Sequence, residues 1–68
     1  MTANTHLALY VSLTKGDMFL IEGQEYEFLA ADCPGDGTMA IWARDPQGDH
    51  HTLYRRTEES VECPIYGV

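Results

Sequence analysis

The chain has 68 residues, with eleven acidic side chains against four basic ones and a net charge of -7 with histidine neutral. A chain this short holds one domain, with no room for a cofactor domain beside a substrate domain, and buries only about 60% of its unfolded surface. Four bases cannot make the basic patch of a general phosphate binder, and the same charge disfavours docking on an anionic membrane.

Hydrophobic residues make up 44% of the chain and aromatics 10%. That is the content of a folded domain rather than a disordered one. The two cysteines, Cys33 and Cys63, are each followed by proline. They are too few for a disulfide-stapled mini-protein. No secretory signal is read in residues 1–13, and no apolar run approaches the ~20 residues that span a bilayer. The expectation is a cytoplasmic protein with reduced thiols.

The dominant period is two. Leu7, Leu9, Val11 and Leu13 share one face, with Ala8, Tyr10 and Ser12 between them, which predicts a strand over residues 7–13. Thr14 to Asp17 reads as a turn and Met18 to Ile21 as a short apolar strand. Glu22-Gly23-Gln24 reads as a tight hairpin connection, with Gly23 free to take a positive φ. Glu25 to Ala31 alternates, with Tyr26, Phe28 and Ala30 on one face and Glu25, Glu27 and Leu29 on the other. The Asp32-Cys33-Pro34-Gly35-Asp36-Gly37 stretch is a loop.

Thr38 to Arg44 is the next strand, with Met39, Ile41 and Ala43 as its apolar face. Asp45-Pro46-Gln47-Gly48 has the residue order of a type I turn. His50 to Arg56 returns, with His51, Leu53 and Arg55 on one side. Thr57 to Ser60 suits one helical or 3-10 turn capped by Thr57. Val61 to Tyr66 is a last short strand, placed at an edge because Pro64 interrupts it. No segment carries a long helical period. The predicted fold is all-β: five to six antiparallel strands in a small barrel or strongly bent sheet, formed by residues 1–68 as one domain.

The stretch from Gly16 to Phe28, with its Gly-Asp opening, apolar strand, glycine turn and aromatic-led second strand, resembles the opening of small SH3-like barrels. The later order of long loop, strand, tight turn, strand, short turn and closing strand extends the resemblance to Ile65. Leu7 to Leu13 departs from it as an extra strand. The resemblance implies an SH3-like fold and transfers no functional residue.

Cys33, Cys63, His6, His50 and His51 are the zinc-ligand types, but they lack the closely paired spacing of structural zinc sites. Adjacent His50 and His51 face opposite ways on a strand. Asp32 and Asp36 lack the EF-hand pattern. A cysteine, histidine and acid can be chosen from this composition by chance, and a small barrel leaves no room for the usual catalytic pocket. No Gly-rich phosphate loop is present. The expectation is therefore no enzyme, no cofactor and no metal site. The histidines read as solvated groups beside a turn, with a pH-sensing role as the sharper alternative.

Two features remain. Trp42 lies opposite the apolar face of its strand, beside Ala40 and Arg44, and Tyr54 lies across the next turn. Glu22, Glu25 and Glu27 sit on one hairpin, with Glu25 and Glu27 about 6.6 Å apart on a strand, near the spacing of phosphates. The expected function is a non-catalytic binding protein that meets a basic protein surface through Glu22, Glu25, Glu27, Trp42 and Tyr54. Its sharper form is a nucleic-acid-mimicking inhibitor. The alternative is an accessory domain that homo-oligomerises through the Trp42 face, and the third reading is a zinc-binding or redox protein. No direct nucleic-acid or membrane partner is expected.

Overall fold

The computed structural model describes residues 5–65. It is one antiparallel sheet of six strands: β1 (Thr5–Leu9), β2 (Met18–Ile21), β3 (Gln24–Asp32), β4 (Thr38–Arg44), β5 (His50–Arg56) and β6 (Ser60–Pro64). Their order across the sheet is β1-β6-β2-β3-β4-β5. The sheet is open, with β1 and β5 as its two edges, so the barrel alternative is not the one adopted.

One face carries the core. Phe19, Met39 and Ile41 are the largest fully buried side chains, joined by Tyr10, Leu13, Phe28, Ala43, Val61 and Cys63. Burying each large apolar side chain is worth roughly 1.5–3 kcal/mol. The alternation predicted for β4 and β5 holds: Met39, Ile41 and Ala43 face inward opposite Arg55, Leu53 and His51. A single sheet must cover this face with its own chain. Tyr10 does so, meeting the Phe19 ring edge-on at 5.9 Å, while Phe19 stacks on Tyr26 and Tyr26 meets His51 edge-on. The Arg55 guanidinium on β5 lies 5.8 Å from the Tyr10 ring centre, so both ends of the sheet curl toward one residue.

Four expectations are corrected here. The predicted strand over residues 7–13 ends at Leu9 and passes into a 3-10 turn, Tyr10–Ser12. Ala8 and Tyr10 face the core, and Leu7, Leu9 and Val11 are exposed. This turn carries the chain across the core, which is why Tyr10 can cap it. Thr57 to Ser60 forms a hydrogen-bonded turn instead, with Glu59 N–H donating to the Arg56 carbonyl and Arg56 N–H to Glu59 Oε1. The last strand is interior: β6 pairs with β1 along its length and meets β2 at Leu20↔Glu62. Pro64 is tolerated because it is the last residue of the strand. Tyr66, within the predicted strand, lies outside the described residues. Finally, a bulge between Phe28 and Ala30 turns Ala30 outward, opposite Trp42. Phe28 N–H donates to the Asp17 carbonyl at 2.7 Å and its own carbonyl accepts from Gly16 N–H at 2.9 Å, so the 14–17 turn occupies the Phe28 backbone at that point.

The turns are built as their residues dictate. Glu22 (φ 52°) and Gly23 (φ 83°) form a two-residue hairpin loop closed by the Ile21↔Gln24 pair, the positive-φ geometry of a type I′ turn. Gly48 N–H donates to the Asp45 carbonyl at 2.9 Å, closing the predicted turn over residues 45–48.

Candidate functional site

The register places most of the predicted contact residues on the outer face. Phe19↔Tyr26 and Phe28↔Ala43 point to the core, so their neighbours Leu20↔Glu25 and Glu27↔Arg44 point away from it. Trp42 lies on this outer face opposite Ala30 and Thr52, and Tyr54 lies opposite Ala40. Trp42 and Tyr54 are therefore diagonal neighbours on adjacent strands, 41% and 74% exposed. Glu22 sits apart, exposed at the tip of the β2–β3 hairpin. The structure thus brings Glu25, Glu27, Trp42 and Tyr54 onto one surface, with Glu22 at its margin.

The electrostatics differ from a plain acidic row. Glu27 Oε1 accepts from Arg44 Nε at 3.1 Å and from Arg44 Nη2. The pair is cross-strand, in register, and half-exposed on Arg44, which makes it worth about 0–1 kcal/mol. Arg44 therefore interrupts the acidic spacing between the hairpin and the aromatics. Glu62 joins the same face through its Leu20 pairing, and its Oε2 accepts from Thr5 Oγ1 at 3.0 Å. Sequence reasoning placed Arg44 beside Trp42 but missed its union with Glu27. It also missed Glu62, because both relations depend on register between strands.

Beside the β4–β5 turn, a shallow recess of about 430 Å³ is lined by Met18, Glu25, Glu27, Arg44, Asp45 and neighbouring turn residues. Asp45 faces it but is committed to the turn. Its carboxylate accepts from His51 Nε2 at 2.7 Å and from the Asp49 and Gln47 N–H groups at 2.9 and 3.0 Å. These contacts, His51 foremost, hold its pKa below the ordinary value. His50 is exposed and His51 half-buried on opposite faces, as their adjacency requires.

The inner side holds a groove of about 350 Å³ lined by His6, Asp17 and Cys63, among others, with His6 directly opposite Cys63 in register. A thiolate nucleophile needs a nearby positive charge. Burial pushes the Cys63 thiol up, and the Asp17 carboxylate adds to the effect. Asp17 Oδ2 is itself taken by the Thr14 N–H at 2.9 Å and the Thr14 hydroxyl at 3.2 Å. The arrangement keeps the thiol protonated. Cys33 is exposed on its loop and both cysteines are free. Among the described residues no group of three or more histidines, cysteines or acids is placed to hold a metal ion, and no helix is long and apolar enough to cross a membrane. No protein-family model matches the chain, and no curated protein matches it in sequence.

Proposed function

We propose that the protein is a small acidic cytoplasmic binding module that meets a basic protein surface through the outer face of its sheet. The observation that carries this reading is the exposure of Trp42 and Tyr54 as diagonal neighbours on the face away from the core. Aromatic side chains of this kind supply contact affinity, while the surrounding charge steers the encounter. Glu27 lies one row from Trp42 on the outer face, Glu25 lies one row further out, and Glu22 extends the acidic margin to the hairpin tip. The two free cysteines accord with a reducing compartment. The SH3-like reading is supported by the strand order: β2 to β5 follow in chain order, β6 returns beside β2, and β1 is the additional strand. The Glu27–Arg44 pair favours a basic protein partner over strict mimicry of a phosphate row.

The test is capture of a partner at low and moderate salt. Charge steering predicts a complex that weakens between about 0.05 and 0.3 M salt, as exposed charges become screened. Glu22→Gln combined with Glu25→Gln reproduces the loss at low salt. A partner held equally by this variant, with no salt dependence, overturns the reading.

A further inference from the structure

On the outer face one small residue sits among two aromatic rings and a carboxylate. Met39 and Ile41 point into the core, so Ala40 between them points outward, where it is half-buried. Its cross-strand partners are Asp32 on β3 and Tyr54 on β5, and Trp42 is its next neighbour along the same face of β4. Paired residues share a face, so Asp32 and Tyr54 flank Ala40 two strand spacings apart, about 9.6 Å, with Trp42 closing one end. All three side chains are uncommitted. Among the described residues no hydrogen bond or ion pair holds the Asp32 carboxylate, and neither ring meets another ring or a cation. The chain's own arginines do not fill the space. Arg44, beside Trp42, is turned to Glu27, and Arg56 borders Tyr54 on the side away from the Trp42 row.

We infer, resting on the outer-face reading above, that Ala40 is the floor of a shallow seat for an arginine side chain of the partner protein. The chain carries -7, so a cation is the complementary occupant. The geometry favours a guanidinium over an ammonium. A guanidinium is flat and weakly hydrated; it stacks on an aromatic ring while its N–H fork donates to a carboxylate. Trp42 and Tyr54 supply the rings and Asp32 the acceptor. A lysine ammonium is a strongly hydrated point charge, and an open seat with one carboxylate strips little of that water.

Trp42 is the single tryptophan of the chain, so its fluorescence reports on the seat directly. The probe is acetyl-Gly-Arg-Gly-Arg-Gly-amide, with the lysine peptide of equal charge beside it, each titrated to about 5 mM at about 0.05 M salt. The arginine peptide is expected to change the Trp42 emission saturably and to bind at least about threefold more tightly than the lysine peptide. Asp32→Asn, at an exposed position, should melt like the wild type and lose that preference. Glu22→Gln combined with Glu25→Gln should weaken both peptides alike and keep it. Equal binding of the two peptides, or a preference that persists in Asp32→Asn, overturns the arginine seat while the charge-steered outer face stands. An unchanged emission with both peptides overturns the seat as well. Failure of the outer face itself reads differently, as partner capture undiminished in Tyr54→Thr and Trp42→Thr, and overturns both.

Discussion

At the scale of single residues, Glu22 is the one non-glycine residue with positive φ among those described. A side chain in the left-handed region costs roughly 1–2 kcal/mol. Glu22→Gly is therefore expected to raise stability by about 1 kcal/mol, read as a higher urea midpoint, while weakening partner capture if the carboxylate is a contact. Asp36 and Asp45 make the acid limb of stability. The Thr38 hydroxyl and N–H hold the Asp36 pKa below 3.8, and His51 and the turn amides do the same for Asp45. A lowered folded pKa means that the ionised form is favoured by folding. The contribution is complete above the unfolded value and is lost as pH falls through the folded one. Urea midpoints should thus decline below about pH 4, and Asp36→Asn with Asp45→Asn should flatten that decline. A decline of unchanged steepness in the double variant would assign it elsewhere. The thiols give a separate check: Cys33 should react at once with an aromatic disulfide reagent, and buried Cys63 only on unfolding.

At the scale of elements, β4 is the strand on which the core depends. Ile41→Ala, at a fully buried position, is expected to cost about 3 kcal/mol. In a domain whose whole stability is on the order of 5 kcal/mol, the variant should be largely unfolded by modest urea. β4 and β5 were legible in the sequence because their apolar alternation coincides with the buried face. β1 was legible as a strand but not in its orientation. Period two identifies a face without saying which side is wet, and here the leucines lie outside while Ala8 and Tyr10 lie inside. The bulge at Phe28 and Ala30 carries no glycine or proline to announce it. It lies in the pairing of β3 with β4, a relation between strands that no local signal carries.

At the scale of the whole molecule, the sequence carried the all-β class and the number of strands, but not closure. Closure depends on whether the two edge strands pair, and here β6 pairs with both β1 and β2 while β1 and β5 stay at opposite edges. Four of the five candidate contact residues fall on one face because three strands happen to be in register, which no alternation within a strand can reveal. The molecule therefore separates a core face from an outer face. One side holds Phe19, Met39 and Ile41, and the other holds Trp42 and Tyr54 over an acidic margin.

The most direct measurement of that separation pairs stability with capture in Tyr54→Thr, which removes the ring while keeping strand preference. The variant is expected to unfold within about 0.5 kcal/mol of the wild type and to bind the captured partner at least about tenfold more weakly. Undiminished binding in Tyr54→Thr and in the matching Trp42→Thr would contradict the assignment of the outer face as the contact surface.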